Sequence, residues 1–104
     1  MLSNETKKQI EDDIKSNKIL IYMKGTPEAP MCGFSARVVD ILQSYKQPIK
    51  GVNVLADENI RQGIKEFSNW PTIPQIFING EFVGGCDILT EMNESGELKQ
   101  LLSK

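Results

Sequence analysis

Gln75-Ile76-Phe77-Ile78-Asn79-Gly80-Glu81-Phe82-Val83-Gly84-Gly85 carries the most specific folding instruction in the chain. Asn-Gly favours a type I′ turn, whose central residues take positive φ and whose twist matches two flanking antiparallel strands. The spacing predicts strands over Gln75 to Ile78 and Glu81 to Val83, with Gly84-Gly85 breaking the second. Immediately upstream, Trp70-Pro71-Thr72-Ile73-Pro74 contains two prolines, which bias Trp70 and Ile73 toward extended geometry and exclude helix.

Toward the N-terminus the pattern alternates between strand and helix. Ser3 to about Ser16 is charged, with Ile10 and Ile14 one turn apart and Ser3 placed to cap an amphipathic helix. The β-branched apolar run within Lys18 to Met23 predicts a strand buried on both faces. Lys24 to Met31 carries Gly25, Pro27 and Pro30 and reads as loop, after which Val38, Val39, Ile41, Leu42 and Tyr45 recur at helical spacing from Cys32 onward. Ile49 to Val54 predicts a second strand, and Asp57 to Ser68 a helix with Ile60, Ile64 and Phe67 on one face. The tail from Asp87 to Leu102 reads as helix interrupted near Ser95-Gly96, with Leu98, Leu101 and Leu102 facing the core.

Strand-helix-strand units need a right-handed parallel crossover, whereas the Asn79-Gly80 hairpin makes the last two strands antiparallel. The expected architecture is α/β: a thioredoxin-like fold with a central mixed four-stranded sheet flanked by helices. A length of 104 residues with 39% hydrophobic content is enough to bury one core. A single domain over residues 1–104, without repeats or linkers, is expected.

Composition removes several classes of function. A formal net charge of -2 argues against nucleic acid or an anionic membrane surface as partner. The run Ile19-Leu20-Ile21-Tyr22-Met23 is too short to cross a bilayer, and no charged-then-apolar leader opens the sequence, so a soluble, non-secreted chain is expected. With no histidine there is no Ser-His or Cys-His pair and no His-bearing zinc site. The two cysteines point to a reducing compartment, where thiols serve reactivity or metal binding.

Cys32-Gly33-Phe34-Ser35 sets a thiol where a loop enters a helix. Unpaired N–H groups and the helix dipole there favour the thiolate. The plain alternative is a packed, inert cysteine, but a helix entry after a proline-rich loop is ordinarily exposed. Position 35 holds serine where a dithiol motif would carry its resolving cysteine, so exchange within the motif is closed.

Lys24, Cys32-Gly33-Phe34-Ser35, Trp70-Pro71-Thr72-Ile73-Pro74 and Gly84-Gly85-Cys86-Asp87 together resemble the single-domain monothiol glutaredoxins, with no departure from the family pattern in those blocks. The resemblance covers nearly the whole chain and implies a glutathione site. By similarity, Lys24 and Arg61 pair with the glycine carboxylate; each also reads as an ordinary surface charge. Thr72 and Ile73 offer backbone groups to the cysteinyl part of the ligand, beside a cis bond before Pro74. Cys86 and Asp87 receive the γ-glutamyl end. Asp87 equally suits a helix cap, and Cys86 equally suits a small packed residue.

The resemblance also implies a [2Fe-2S] cluster as cargo. Such a cluster needs four ligands, commonly thiolates, and this chain owns two cysteines. Two chains giving Cys32, plus two glutathione thiols, complete the set as a ligand-bridged homodimer. The implied function is transfer of the cluster from an iron-sulfur scaffold to apo-protein acceptors, with a BolA-like protein as a possible partner. The alternative is a glutathione-dependent thiol-disulfide oxidoreductase acting through Cys32. The implied compartment is a bacterial cytoplasm or, for a processed organellar protein, the mitochondrial matrix.

Overall fold

The computed structural model describes residues 2–104. Helix α1 (Asn4–Ser16) is capped by Ser3, whose Oγ accepts the Thr6 N–H at 3.1 Å, as its sequence predicts. Strand β1 (Ile19–Met23) follows, with all five residues buried. The proline-bearing segment expected as plain loop instead forms a miniature hairpin, β2 (Gly25–Thr26) with β3 (Ala29–Pro30). Pro27 suits the first central position of its turn. Thr26 Oγ1 accepts the Ala29 N–H at 3.1 Å, and the Met31 N–H closes the loop on Lys24 O at 2.9 Å.

Helix α2 (Gly33–Gln43) leads to β4 (Lys50–Asn53), which is shorter than the predicted strand because Val54–Ala56 winds into a single 3₁₀ turn. Asp57 caps α3 (Glu58–Ser68) by accepting the Asn59 and Ile60 N–H groups at 2.9 and 3.3 Å. Strands β5 (Gln75–Ile78) and β6 (Glu81–Gly84) pair around Asn79-Gly80, both at positive φ as the turn requires. Gly96, at φ 89°, divides the tail into α4 (Cys86–Ser95) and α5 (Glu97–Leu102).

The sheet has the order β4-β1-β5-β6, with β1 parallel to β4 and antiparallel to β5. Alternation along β1 divides the core. Ile19, Ile21 and Met23 pack with Val38 and Leu42 of α2, Leu89 of α4, and Leu98 and Leu102 of α5. On the opposite face Leu20 and Tyr22 pack with Ile10 of α1 and Ile60 and Ile64 of α3. The carbonyls at the end of α5 are satisfied from three directions: Lys18 Nζ and Gln47 Nε2 donate to Leu102 O at 2.7 and 3.1 Å, and Asn79 Nδ2 to Leu101 O at 3.0 Å. Among the described residues no helix is long and apolar enough to cross a membrane.

The β2–β3 hairpin is held from below. A Cβ on Gly51 of β4 would lie 2.6 Å from Pro27 Cγ and Cδ, so the bare glycine is what lets the hairpin settle on β4. Gly25 has φ +88°, and a Cβ there would lie 2.5 Å from Ala29 O. Gly25→Ala should therefore cost about 2 kcal/mol in urea unfolding. Gly33→Ala, whose Cβ meets nothing within 4 Å, should leave the midpoint almost unmoved.

Candidate functional site

Four segments converge at one end of the sheet. Strand β1 is followed directly by Lys24, whose N–H donates to Ser35 Oγ at 3.2 Å. That bond ties the strand end to the first turn of α2, and Ser35 is fully buried in consequence. Cys32 is the N-cap residue of α2, in extended backbone at φ -154° and ψ 138°. The loop 70–74 passes beside it, and the Ile73–Pro74 peptide is cis. The start of α4 closes the far side. A Cβ on Gly85 would approach Pro74 O to 3.3 Å and Trp70 Nε1 to 3.4 Å, so Gly85 lets the helix start lie directly against the loop.

These segments enclose a groove of about 520 Å³. Cys32, Lys24, Thr72, Ile73, Pro74, Cys86 and Asp87 all line it. Arg61 does not. Its guanidinium pairs with Glu58 at 3.5 Å, one turn earlier on α3, and its Nε is buried without an acceptor. Lys65 lines the groove instead. It lies four residues after Arg61, hence on the same face of α3, and that spacing is the signal by which it could have been found. A larger concavity, about 790 Å³, lies between α1 and the β5–β6 hairpin. It holds no thiol, and its rim mixes Lys8 and Lys15 with Glu11 and Asp12.

The Cys32 thiol is the chemically distinctive group. Its pKa is lowered chiefly by the Ser35 backbone N–H, opposed by partial desolvation, and lowered further by the Phe34 N–H, the Lys24 charge and the Ser35 hydroxyl. The Cys32 sulfur accepts no full capping hydrogen bond. The N–H groups of the first turn nonetheless face it and favour the anion, as at any helix start. Cys86, by contrast, is buried at the first position of α4, and both cysteines are free thiols. Phe34 and Ile88, which line the groove, are exposed, as is Met31, the residue before Cys32; the exposure is 70% for Met31 and 62% for Phe34. That leaves an apolar fringe beside the thiol which the sequence reading did not single out.

The charge layout has a direction. Lys24 and Lys65 provide cations, whereas Asp87 provides a carboxylate at the start of α4. Between them the Thr72 and Ile73 N–H groups have no acceptor in the chain among the described residues. A ligand suited to this groove carries an anionic end, a cationic group and a peptide-like middle.

The glutaredoxin family model matches residues 19–83. The chain is 54% identical over 105 residues to mitochondrial glutaredoxin-related protein 5 of Danio rerio, covering 100% of this chain and 68% of that protein. It is 52% identical over 101 residues to an uncharacterized monothiol glutaredoxin, ycf64-like, of Synechocystis, covering 97% and 94%. Among solved structures, reduced apo GrxS14 of poplar superposes with a TM-score of 0.84 at 48% identity, over 93% of this chain and 89% of that one. A buckwheat glutaredoxin–glutathione complex shares the fold at TM-score 0.83 and 21% identity, over 97% and 94%. The mixed sheet with its flanking helices is thus the thioredoxin-like fold, and the chain belongs to the glutaredoxin family, among its monothiol members.

Proposed function

We propose that the whole chain, residues 1–104, acts as one glutathione-binding unit that carries a [2Fe-2S] cluster between two copies of itself and delivers it to apo-proteins. The observation that carries this reading is one stabilised thiolate at the mouth of a groove whose charges match glutathione. Lys24 and Lys65 receive the glycine carboxylate, with Arg61 adding positive field from the preceding turn. Thr72 and Ile73 pair with the cysteinyl peptide. The N–H groups at the start of α4, near Cys86, take the γ-glutamyl carboxylate, and Asp87 takes the ammonium.

The ligand count supports a bridged dimer. Among the described residues no three Cys, Asp or Glu side chains gather to hold a metal; of the two thiols that line the groove Cys86 is buried, so Cys32 is the soft ligand this chain offers. Two Cys32 thiolates and two glutathione thiolates make four. The cluster is cargo, accepted from a scaffold and passed on by ligand exchange. The apolar fringe of Met31, Phe34 and Ile88 would be covered in such a dimer or by a regulatory partner of the BolA kind. The compartments in keeping with this role are a bacterial cytoplasm or a mitochondrial matrix.

A second reading is supported by the lowered pKa of Cys32. Its thiolate attacks the glutathione sulfur of a glutathionylated protein, expelling the protein thiolate and leaving Cys32 joined to glutathione. A second glutathione thiolate then attacks that disulfide, releasing oxidised glutathione and restoring Cys32. Ser35 has no thiol to resolve the intermediate, so this route needs the external thiol at every turnover.

Anaerobic reconstitution with iron, sulfide and glutathione should give visible sulfur-to-iron charge-transfer absorption and a shift to dimer mass. Both should vanish in Cys32→Ser and without glutathione, and persist in Cys86→Ser; a chromophore that survives loss of Cys32 would sink the cluster reading. Lys65→Gln and Asp87→Asn should each weaken glutathione binding about tenfold by calorimetry, the size of one charge-assisted contact. Iodoacetamide alkylation of Cys32 should rise with pH through a midpoint below that of an ordinary cysteine. Lys24→Met should move that midpoint upward, because removing a nearby cation disfavours the thiolate.

A further inference from the structure

Gln75, the first residue of β5, is an amide with no solvent exposure in a strand whose other members are Ile76, Phe77 and Ile78. It does not line the groove. Its Nε2 donates to Trp70 O at 2.9 Å and to Thr72 O at 3.2 Å, and its Oε1 is buried with no donor. Two carbonyl acceptors leave only one way for the amide to face. A buried, unpaired carbonyl oxygen is destabilising, and a leucine or methionine of similar volume would avoid that cost. Core packing therefore gives no reason for glutamine here. Its two donated hydrogen bonds do.

Those bonds determine which way the loop faces. The Thr72–Ile73 peptide is trans, since the cis bond lies one residue later. In a trans peptide the C=O and the following N–H lie in one plane and point in opposite directions. Holding Thr72 O inward on Gln75 thus turns the Ile73 N–H outward, on the side where Ile73 lines the groove. The other carbonyl held inward, Trp70 O, precedes Pro71, which has no N–H. Pinning that peptide turns no second donor into the groove.

We propose that Gln75 is a positioning residue that aims the Ile73 N–H into the groove by holding the Trp70 and Thr72 carbonyls from the core side. This rests on the glutathione reading of the groove for its consequence, but not for its geometry. It predicts selective damage when the amide is lost: the loop turns freely while the thiol's own surroundings stay intact.

The test uses the full chain, ¹⁵N-labelled, as wild type and Gln75→Met, titrated with reduced glutathione by NMR. In wild type the Ile73 amide should shift on titration. In Gln75→Met the glutathione Kd should rise about tenfold, roughly the loss of one oriented hydrogen bond, and amide exchange at Ile73 should quicken. Alkylation of Cys32 should keep its rate and pH midpoint, a result that general unfolding would not spare. Unchanged affinity with an unchanged Ile73 shift overturns the proposal, as does equal disturbance of Cys32 and the β1 amides. A second measurement needs no variant: the Gln75 side-chain amide protons of wild type should exchange far more slowly than those of a free amide. Free exchange overturns the proposal even if Gln75→Met does not fold. Should wild type bind no glutathione, the functional reading fails, and the loop geometry is then judged on that side-chain exchange.

Discussion

Five consecutive side chains, Ile19 to Met23, are sealed from solvent on a strand hydrogen-bonded along both edges, and both halves of the core are built on it. Burying one aliphatic side chain of this size contributes about 2 kcal/mol, against a net stability on the order of 10 kcal/mol for a small domain. Like β5 beside it, β1 is a central strand of the sheet and is buried over its whole length. Its C-terminal end is therefore a rigid point, and the chain spends that rigidity at once. Lys24 follows directly, and its N–H joins Ser35 in the first turn of α2.

That junction explains why the thiol is both activated and accessible. Cys32 lies just outside the helix, so its sulfur sees the first-turn N–H groups without being enclosed by the core. Ser35 lies just inside, and its buried hydroxyl carries structure where a dithiol motif would carry redox chemistry. Serine at this place has two effects with one side chain. It removes an internal resolving thiol, and it locks the strand end that presents Lys24. The miniature hairpin β2–β3, seated on Gly51, then limits how the segment from Lys24 to Cys32 can move.

The opposite wall of the groove is built mainly from backbone. Loop 70–74 and the start of α4 meet at Gly85, where a Cβ would crowd Pro74 O and touch the Trp70 ring. Recognition by backbone N–H groups needs those groups to be oriented before the ligand arrives, because ordering them on binding would subtract from affinity. The buried amide of Gln75 and the close approach at Gly85 act on the same few peptides from two sides. Lys24 and Lys65 on one side of the groove and Asp87 on the other give it a charge direction, which the proposed glutathione reading uses to orient the ligand.

Most of the architecture is readable in the sequence, because its signals are local. Ser3 caps α1 through an atom three residues away, Asn79-Gly80 sets its own turn, and the unbroken apolar run of β1 records two buried faces. The position of Cys32 at a helix entry was legible for the same reason. Other features were not. The β2–β3 hairpin looked like loop because its support, Gly51, is more than twenty residues distant. Arg61 and Lys65 share one face of α3, and only the packing of that helix shows that Lys65 lines the groove while Arg61 turns to Glu58. Gln75 read as one more strand residue, since its partners are carbonyls of a loop whose shape exists only when folded. Periodicity and caps are written in neighbouring residues. Which charge meets a ligand, and which way a peptide faces, are settled by contacts between segments that the chain order keeps apart.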